Sequence, residues 1–263
     1  MIAAFIQARV SSTRFPGKVL KPILGKAMLE LEVERVRACR SIDQVVIVTS
    51  ILPEDQQIVE LGKRIGVDVF CGSLENVLDR FYQAAVMFKP SHIVRLTGDC
   101  PLIDAQVVDD MVRLYLEKKC DYGTNCTPPT YPDGLDAEVF TFQALKEAYE
   151  EAVLPSHLEH VTLFMESQPE RFKAVNLAHD KDISGLRWTV DEPEDFEFVK
   201  NVFERLYPSN TQFNMGDVLA LLKARPELVE LNQRFIRNEG LLKSQEKDKE
   251  FLVSYQPDVL SSL

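Results

Sequence analysis

The densest chemistry in this chain sits in one short stretch. Arg9-Val10-Ser11-Ser12-Thr13-Arg14-Phe15-Pro16-Gly17-Lys18 places three cations, three hydroxyls and a glycine within ten residues. A polyphosphate is held by such a set: cations for its charge, hydroxyls and backbone N–H groups for its oxygens, and a tight loop to present them. Arg9, Arg14 and Lys18 supply the charge, Ser11, Ser12 and Thr13 the hydroxyls, and Gly17 a close backbone approach. Residues 1–29 hold five basic and no acidic side chains, in a chain whose formal charge is −11. A block of that kind marks an anion site or a solvated basic edge. Neither GxxxxGKS/T nor GxGxxG occurs, so the P-loop and dinucleotide fingerprints are absent.

Carboxylates supply the second half of the chemistry. Asp99, in Thr97-Gly98-Asp99-Cys100-Pro101, follows an apolar run and is placed to hold a hard cation such as Mg²⁺, or to serve as a turn or cap residue. Asp191, in Arg187-Trp188-Thr189-Val190-Asp191-Glu192-Pro193, is either a second metal ligand or an N-cap, with Glu194 completing a capping box. Asp136 and Glu138 leave a loop and share one face of a short strand, toward a substrate or at a solvated edge. His157 and His160 lie three apart on a helix without a third metal ligand, which points to hydrogen bonding or surface exposure. Cys100 has no histidine placed to activate it and reads as buried filler, and Trp188 as core.

These residues need a frame. Ile2–Ala8, Gln44–Ser50, Val67–Cys71 and His92–Leu96 read as strands, alternating with helices over Met28–Ala38, Glu54–Ile65, Asn76–Met87 and Asp104–Lys118. That alternation predicts an α/β fold with a mostly parallel, Rossmann-like sheet flanked by helices. Ligands bind beyond the carboxyl ends of such strands, where both the basic loop and the Asp99 turn fall. Tyr122–Gly134 is rich in turn residues and reads as an irregular loop. Beyond it the pattern predicts strands at Ala137–Phe140, Phe172–Leu177 and Leu186–Val190, the last ending at Asp191. Helices are expected at Phe142–Val153, Ser156–Glu166, Pro193–Leu206, Asn214–Lys223 and Pro226–Phe235. We read one elaborated domain over 1–240, with a substrate and dimerisation elaboration at about 120–180, and a charged tail over 241–263.

Composition narrows the function classes. A sequence pI near 5.0 argues against a protein that coats nucleic acid. No apolar run reaches the roughly 18 residues of a membrane span, and the N-terminal MIAAFIQARV reads as a strand, not a signal peptide. Five cysteines with no CxxC pair fit reduced thiols and a cytoplasmic protein.

The Gln7–Lys18 stretch also resembles the N-terminal signature of the CMP-sugar synthetases, the acylneuraminate and Kdo cytidylyltransferases. With Gly72-Ser73, Asn76–Phe81, Arg95–Asp104, Tyr131–Phe140, Glu159–Thr162, Leu186–Asp195 and Arg237–Gly240, nearly the whole chain is similar to the spore coat polysaccharide biosynthesis protein F branch of that superfamily. The resemblance implies a glycosyltransferase-A-type nucleotidyltransferase fold and Mg²⁺-dependent transfer of CMP from CTP, with pyrophosphate leaving. By resemblance, Arg9, Arg14 and Lys18 would grip the triphosphate, and Asp99 and Asp191 would hold the metal. Ala8, Ser12, Ser73, Arg80 and Thr97 would line the nucleotide pocket. Asp136, Glu138, His160 and Arg187 would face the acceptor, an acidic sugar or a phosphorylated small molecule, and the chain would work as a homodimer. It departs from the pattern at Val10-Ser11, where relatives often carry Met-Gly, at Phe15 for Leu, and at Thr97, where the Kdo enzymes carry Gln.

Two other functions compete. A glycosyltransferase using a nucleotide sugar would commonly carry a DxD metal motif, which Asp99-Cys100-Pro101 does not match. A non-catalytic nucleotide-binding subunit would have no need of both aspartates and all three loop cations, yet all five are present.

Overall fold

The computed structural model describes residues 1–235, 237 and 239–255. Asn238 of the Arg237–Gly240 motif and residues 256–263 of the expected tail lie outside the described residues.

Strand β1 (Ile2–Gln7) is apolar on both faces until Gln7, as a strand covered from both sides must be. A short hairpin, β2 (Pro22–Ile23) and β3 (Lys26–Ala27), turns through Leu24 and Gly25 at positive φ and feeds α1 (Met28–Val36). Then follow β4 (Gln44–Ser50), α2 (Gln56–Ile65), β5 (Asp68–Gly72), α3 (Val77–Phe88), β6 (His92–Thr97) and α4 (Ala105–Lys118). Caps set these boundaries: Gly66 ends α2 at φ 65°, Asn76 accepts the Asp79 N–H at the start of α3, and Asp104 accepts from Gln106 and Val107 at the start of α4.

The second half comprises β7 (Tyr122–Thr124), β8 (Glu138–Thr141), α5 (Phe142–Glu151), α6 (Pro155–His160), α7 (Leu163–Glu166), β9 (Ala174–Asn176), α8 (Pro193–Leu206), α9 (Met215–Ala224) and α10 (Glu239–Tyr255). The seven-stranded sheet has the order β5-β4-β1-β6-β8-β7-β9. The first four run parallel, and β8 runs antiparallel to both its neighbours. One face (Ala4, Ile6, Val94, Leu96) packs with α1, α4 and α8, the other (Ala3, Phe5, Ile93, Phe140) with α3, α5 and α7. The expected α/β architecture with a mostly parallel sheet is therefore the observed one.

Four local expectations are corrected. Tyr122–Thr124, expected in a loop, is a strand that fills the gap between β8 and β9. The helix expected over Ser156–Glu166 breaks at Val161, which stands at φ 54°. Pro226–Leu231 is 3₁₀, not α. Leu186–Val190 is no strand. It makes one isolated bridge, Arg187 with Asp133, and otherwise bonds irregular chain: Trp188 and Thr189 N–H to the Asp133 carbonyl (2.6 and 2.9 Å), and Val190 N–H to the Asp99 carbonyl (2.8 Å). Helix α10 lies along α6, where Asp248 accepts the Ser156 N–H at 2.8 Å. Among the described residues no helix is long and apolar enough to cross a membrane.

Candidate active site

At the carboxyl edge of β1 the basic loop folds back on itself. Val10 N–H donates to Asp55 (2.7 Å), a buried residue that also holds Ser50 at the end of β4. Gly17, at φ 71°, returns its N–H to the Val10 carbonyl at 3.0 Å. The ring so closed turns Lys18 inward, where only 7% of it is exposed. Its Nζ donates to Asp99 (2.9 Å), Asp191 (2.9 Å) and the Val190 carbonyl (2.7 Å). Three acceptors satisfy all three ammonium protons, which is how a lysine tolerates burial. Burial opposes its charge, but Asp99 and Asp191 outweigh burial and hold the pKa above the ordinary lysine value. Burial likewise works against the Asp99 carboxylate, and Lys18 overrides it to hold that pKa low. Arg14 reaches the same Asp191 carboxylate at 2.8 Å.

Asp191 is carried on a buried ionic platform. Arg187 grips Asp195 with two hydrogen bonds of 2.9 Å and reaches Asp133 and Asp191 at 3.2 Å. Asp195 is fully buried and also accepts from the backbone N–H groups of Asp191 and Glu192 and from Asn232, each at 2.9 Å. The capping box of α8 is thus one residue on from expectation: Glu192 is the N-cap and Asp195 its partner, because Asp191 is turned toward Lys18. Arg187, expected toward the acceptor, has its guanidinium engaged by three carboxylates.

Asp99 and Asp191 offer two hard oxygens converging on one point, the place Lys18 Nζ now fills. Among the described residues no group of three or more His, Cys, Asp or Glu side chains is placed to hold a metal. Two carboxylates suit Mg²⁺, which is commonly bound by one or two carboxylates together with substrate phosphates.

The other expected residues divide between the two halves of the sheet. On the β5-β4-β1 side, Arg80 is buried under the Ser73–Leu74 turn, donating to the Ser73 carbonyl (2.8 Å) and the Leu74 carbonyl (3.1 Å). Burial and then the nearby Arg9 charge pull its pKa down to about 10. Two adjacent cations of this kind describe a space for an anion. Ala8 still pairs with Val48, and Ser12 Oγ accepts the Phe15 N–H at 3.3 Å, a bond that shapes the loop. Thr97 Oγ1 lies 3.3 Å from Cys100 Sγ. On the β6-β8-β7 side, Glu138 is bonded by Arg95, by Tyr122 Oη (2.6 Å) and by Thr162 Oγ1 (2.6 Å). Asp136 takes Arg237 at 2.6 Å. His160 Nε2 stands 3.0 Å from Ser244 Oγ of α10, away from the Lys18 cluster, and His157 packs its edge on Phe164.

A family model described as cytidylyltransferase matches residues 3–221 of this sequence. The chain belongs to the cytidylyltransferase family. A cytidylyltransferase from Leptospira borgpetersenii is 33% identical, superposes with a TM-score of 0.84, and is matched over 90% of this chain and 99% of its own. The spore coat polysaccharide biosynthesis protein SpsF of Bacillus subtilis is 32% identical over 86% of this chain and 95% of its own length. A 3-deoxy-manno-octulosonate cytidylyltransferase of Zea mays is 38% identical over a smaller part, 41% of this chain and 36% of its own.

In this cytidylyltransferase the structure adds residues to which the sequence assigned no role. Gln7 Oε1 and Arg95 Nε are buried without a hydrogen-bond partner among the described residues, as is the hydroxyl of Ser11 in the basic loop. Glu32, fully buried in α1, has its pKa pushed well up by burial first and the Asp99 charge second. Asp195 did carry a legible signal: it sits three and four residues before Phe198 and Val199, on the apolar face of α8, where a charge must be paired. Gln7 and Arg95 offered only a polar side chain at the inward position of an apolar strand.

Proposed function

We propose that this cytidylyltransferase transfers CMP from CTP to an acidic sugar acceptor, releasing pyrophosphate, in the biosynthesis of a surface polysaccharide. The observation that carries this reading is the single Lys18 ammonium shared by Asp99 and Asp191, with Arg14 beside it at the carboxyl edge of the sheet. The site has cations for a triphosphate and two carboxylates for a divalent ion, in one place. The Bacillus subtilis relative bears a polysaccharide biosynthesis name and the maize relative acts on an acidic sugar by name, which supports the acceptor class.

In the proposed reaction an acceptor hydroxyl attacks the α-phosphorus in line, the α–β phosphoanhydride bond breaks, and pyrophosphate leaves. Mg²⁺ held by Asp99 and Asp191 would neutralise phosphate charge as that bond breaks. Lys18 and Arg14 orient the triphosphate, and Arg9 with Arg80 forms the cationic wall on the nucleotide side. Arg187 and Asp195 keep Asp191 aimed at the site. Five free cysteines support a cytoplasmic setting. Exposed Val86 and Met87 at the end of α3, and exposed Val153 in the connection after α5, support a homodimer, to be read by sedimentation.

The test is pyrophosphate release with Mg²⁺, each of the four nucleoside triphosphates, and a panel of acidic and phosphorylated acceptors. CTP-specific release is expected, and Asp99→Asn should nearly abolish it while the fold persists. Undiminished turnover in that variant would sink the reading.

A further inference from the structure

On the face of the sheet that packs against α3, side chains alternate apolar until the carboxyl end, where the pattern turns polar. Arg95 of β6 lies in register with Glu138 of β8, and Glu138 with Thr124 of β7, so three polar residues form a row across adjacent strands. Phe5 flanks Arg95 on the other side, and below the row lie Ile93, Phe140 and Tyr122. Glu138 is saturated: Tyr122 and Thr162 donate to one carboxylate oxygen and Arg95 Nη1 to the other. It fixes one corner of the Arg95 guanidinium. The Nε of the same group is buried and has no partner among the described residues. Elsewhere in this molecule the same edge, Nε with Nη2, is what Arg187 uses to hold both oxygens of Asp195. A buried guanidinium edge left empty costs free energy unless a ligand fills it.

We propose that Arg95 is the residue that anchors the acceptor's carboxylate, its Nε edge taking the two oxygens while Glu138 holds it in place. The inference rests on the cytidylyltransferase reading and names a specificity residue within it. Position decides between the acceptor and the nucleotide as the source of the anion. The cations of the basic loop, with Arg80, gather on the β5-β4-β1 side, whereas Arg95 faces β8 and β7 across Asp99. It stands two residues before Thr97 on the same face, roughly 7 Å along the strand and within one small sugar of the Asp99 turn. His160 lies close enough to feel the Arg95 charge.

The test compares wild type, Arg95→Lys, and Arg95→Met combined with Glu138→Gln. Lysine keeps a cation against Glu138 but lacks the planar edge. The double variant leaves no buried charge unpaired. Substrates are 3-deoxy-manno-octulosonate and N-acetylneuraminate, each beside its carboxyl-reduced analogue, with CTP titrated separately. Both variants should raise the acceptor KM roughly ten- to hundredfold, leave the CTP KM unchanged, and lose the preference for the acid over its reduced analogue. An unchanged acceptor KM, or an equal rise in the CTP KM, overturns the assignment. Wild type that binds CTP yet turns over no acidic acceptor also overturns it while sparing the nucleotide site. Failure to bind CTP at all would remove the underlying reading instead.

Discussion

Lys18 is a residue with two jobs that pull in opposite directions. It is the internal counter-ion of Asp99 and Asp191, and in the proposed reaction it must also let go of them to orient the triphosphate. Replacing it with methionine should depress turnover by orders of magnitude. It should also tighten binding of Mn²⁺ measured without nucleotide, roughly tenfold or more, because two facing carboxylates lose the ammonium they share. Looser Mn²⁺ binding in Lys18→Met would show that the two carboxylates do not form one site. Asp195 makes a simpler case. Asp195→Ala takes from the buried Arg187 guanidinium the bidentate one of its three carboxylate partners, and breaking such a pair costs about 3–5 kcal/mol, readable by urea unfolding. The cations of Arg9–Lys18 were legible in sequence because loop chemistry and charge coincide there. The partners of each cation were not. Nothing in local spacing says that Lys18 reaches residues 81 and 173 positions away.

At the scale of elements, Leu186–Asp191 shows where pattern reading failed and why. Its apolar residues match a buried strand, yet periodicity cannot tell a strand from extended chain that bonds a loop. What holds it is Gly134, at φ 108°, where an added Cβ would sit 2.5 Å from Thr189 N and 2.6 Å from Trp188 C. Gly134→Ala should therefore cost about 1–3 kcal/mol from backbone strain alone. It should also lower turnover by displacing the chain that carries Asp191. Gly185→Ala, where the added atom meets nothing within 4 Å, is the control and should leave both stability and turnover unchanged. Strands β4 and β6 and helix α8, by contrast, were readable almost to the residue. β-branched runs mark the two strands, and Pro193 marks the helix start.

Across the whole molecule, buried charge ties stability to pH. The Asp133 carboxyl is pushed up to about 7, by burial first and the Asp136 charge second. An unfolded aspartate titrates near 3.9, so the folded state binds the proton more tightly. That contribution is full below about pH 4 and is lost as pH rises through 7. Between pH 5.5 and 8 the melting temperature of wild type should fall relative to Asp133→Asn, which has no proton to lose. A constant difference across that range would mean Asp133 is ionised throughout.

The reversed direction of β8 has a consequence for how such a protein can diversify. In the parallel strands the carboxyl end meets the site, but β8 runs the other way and presents its first residue, Glu138, there. The irregular segment before it, residues 125–137, therefore arrives at that end of the sheet, and under the proposed function it would wall the acceptor without touching the order of the parallel strands. Lengthening, shortening or reshuffling that segment would then change what is accepted and leave the proposed nucleotide side alone. Under that reading, acceptor choice and phosphate chemistry rest on separate stretches of one chain, so either can be altered with the other left in place.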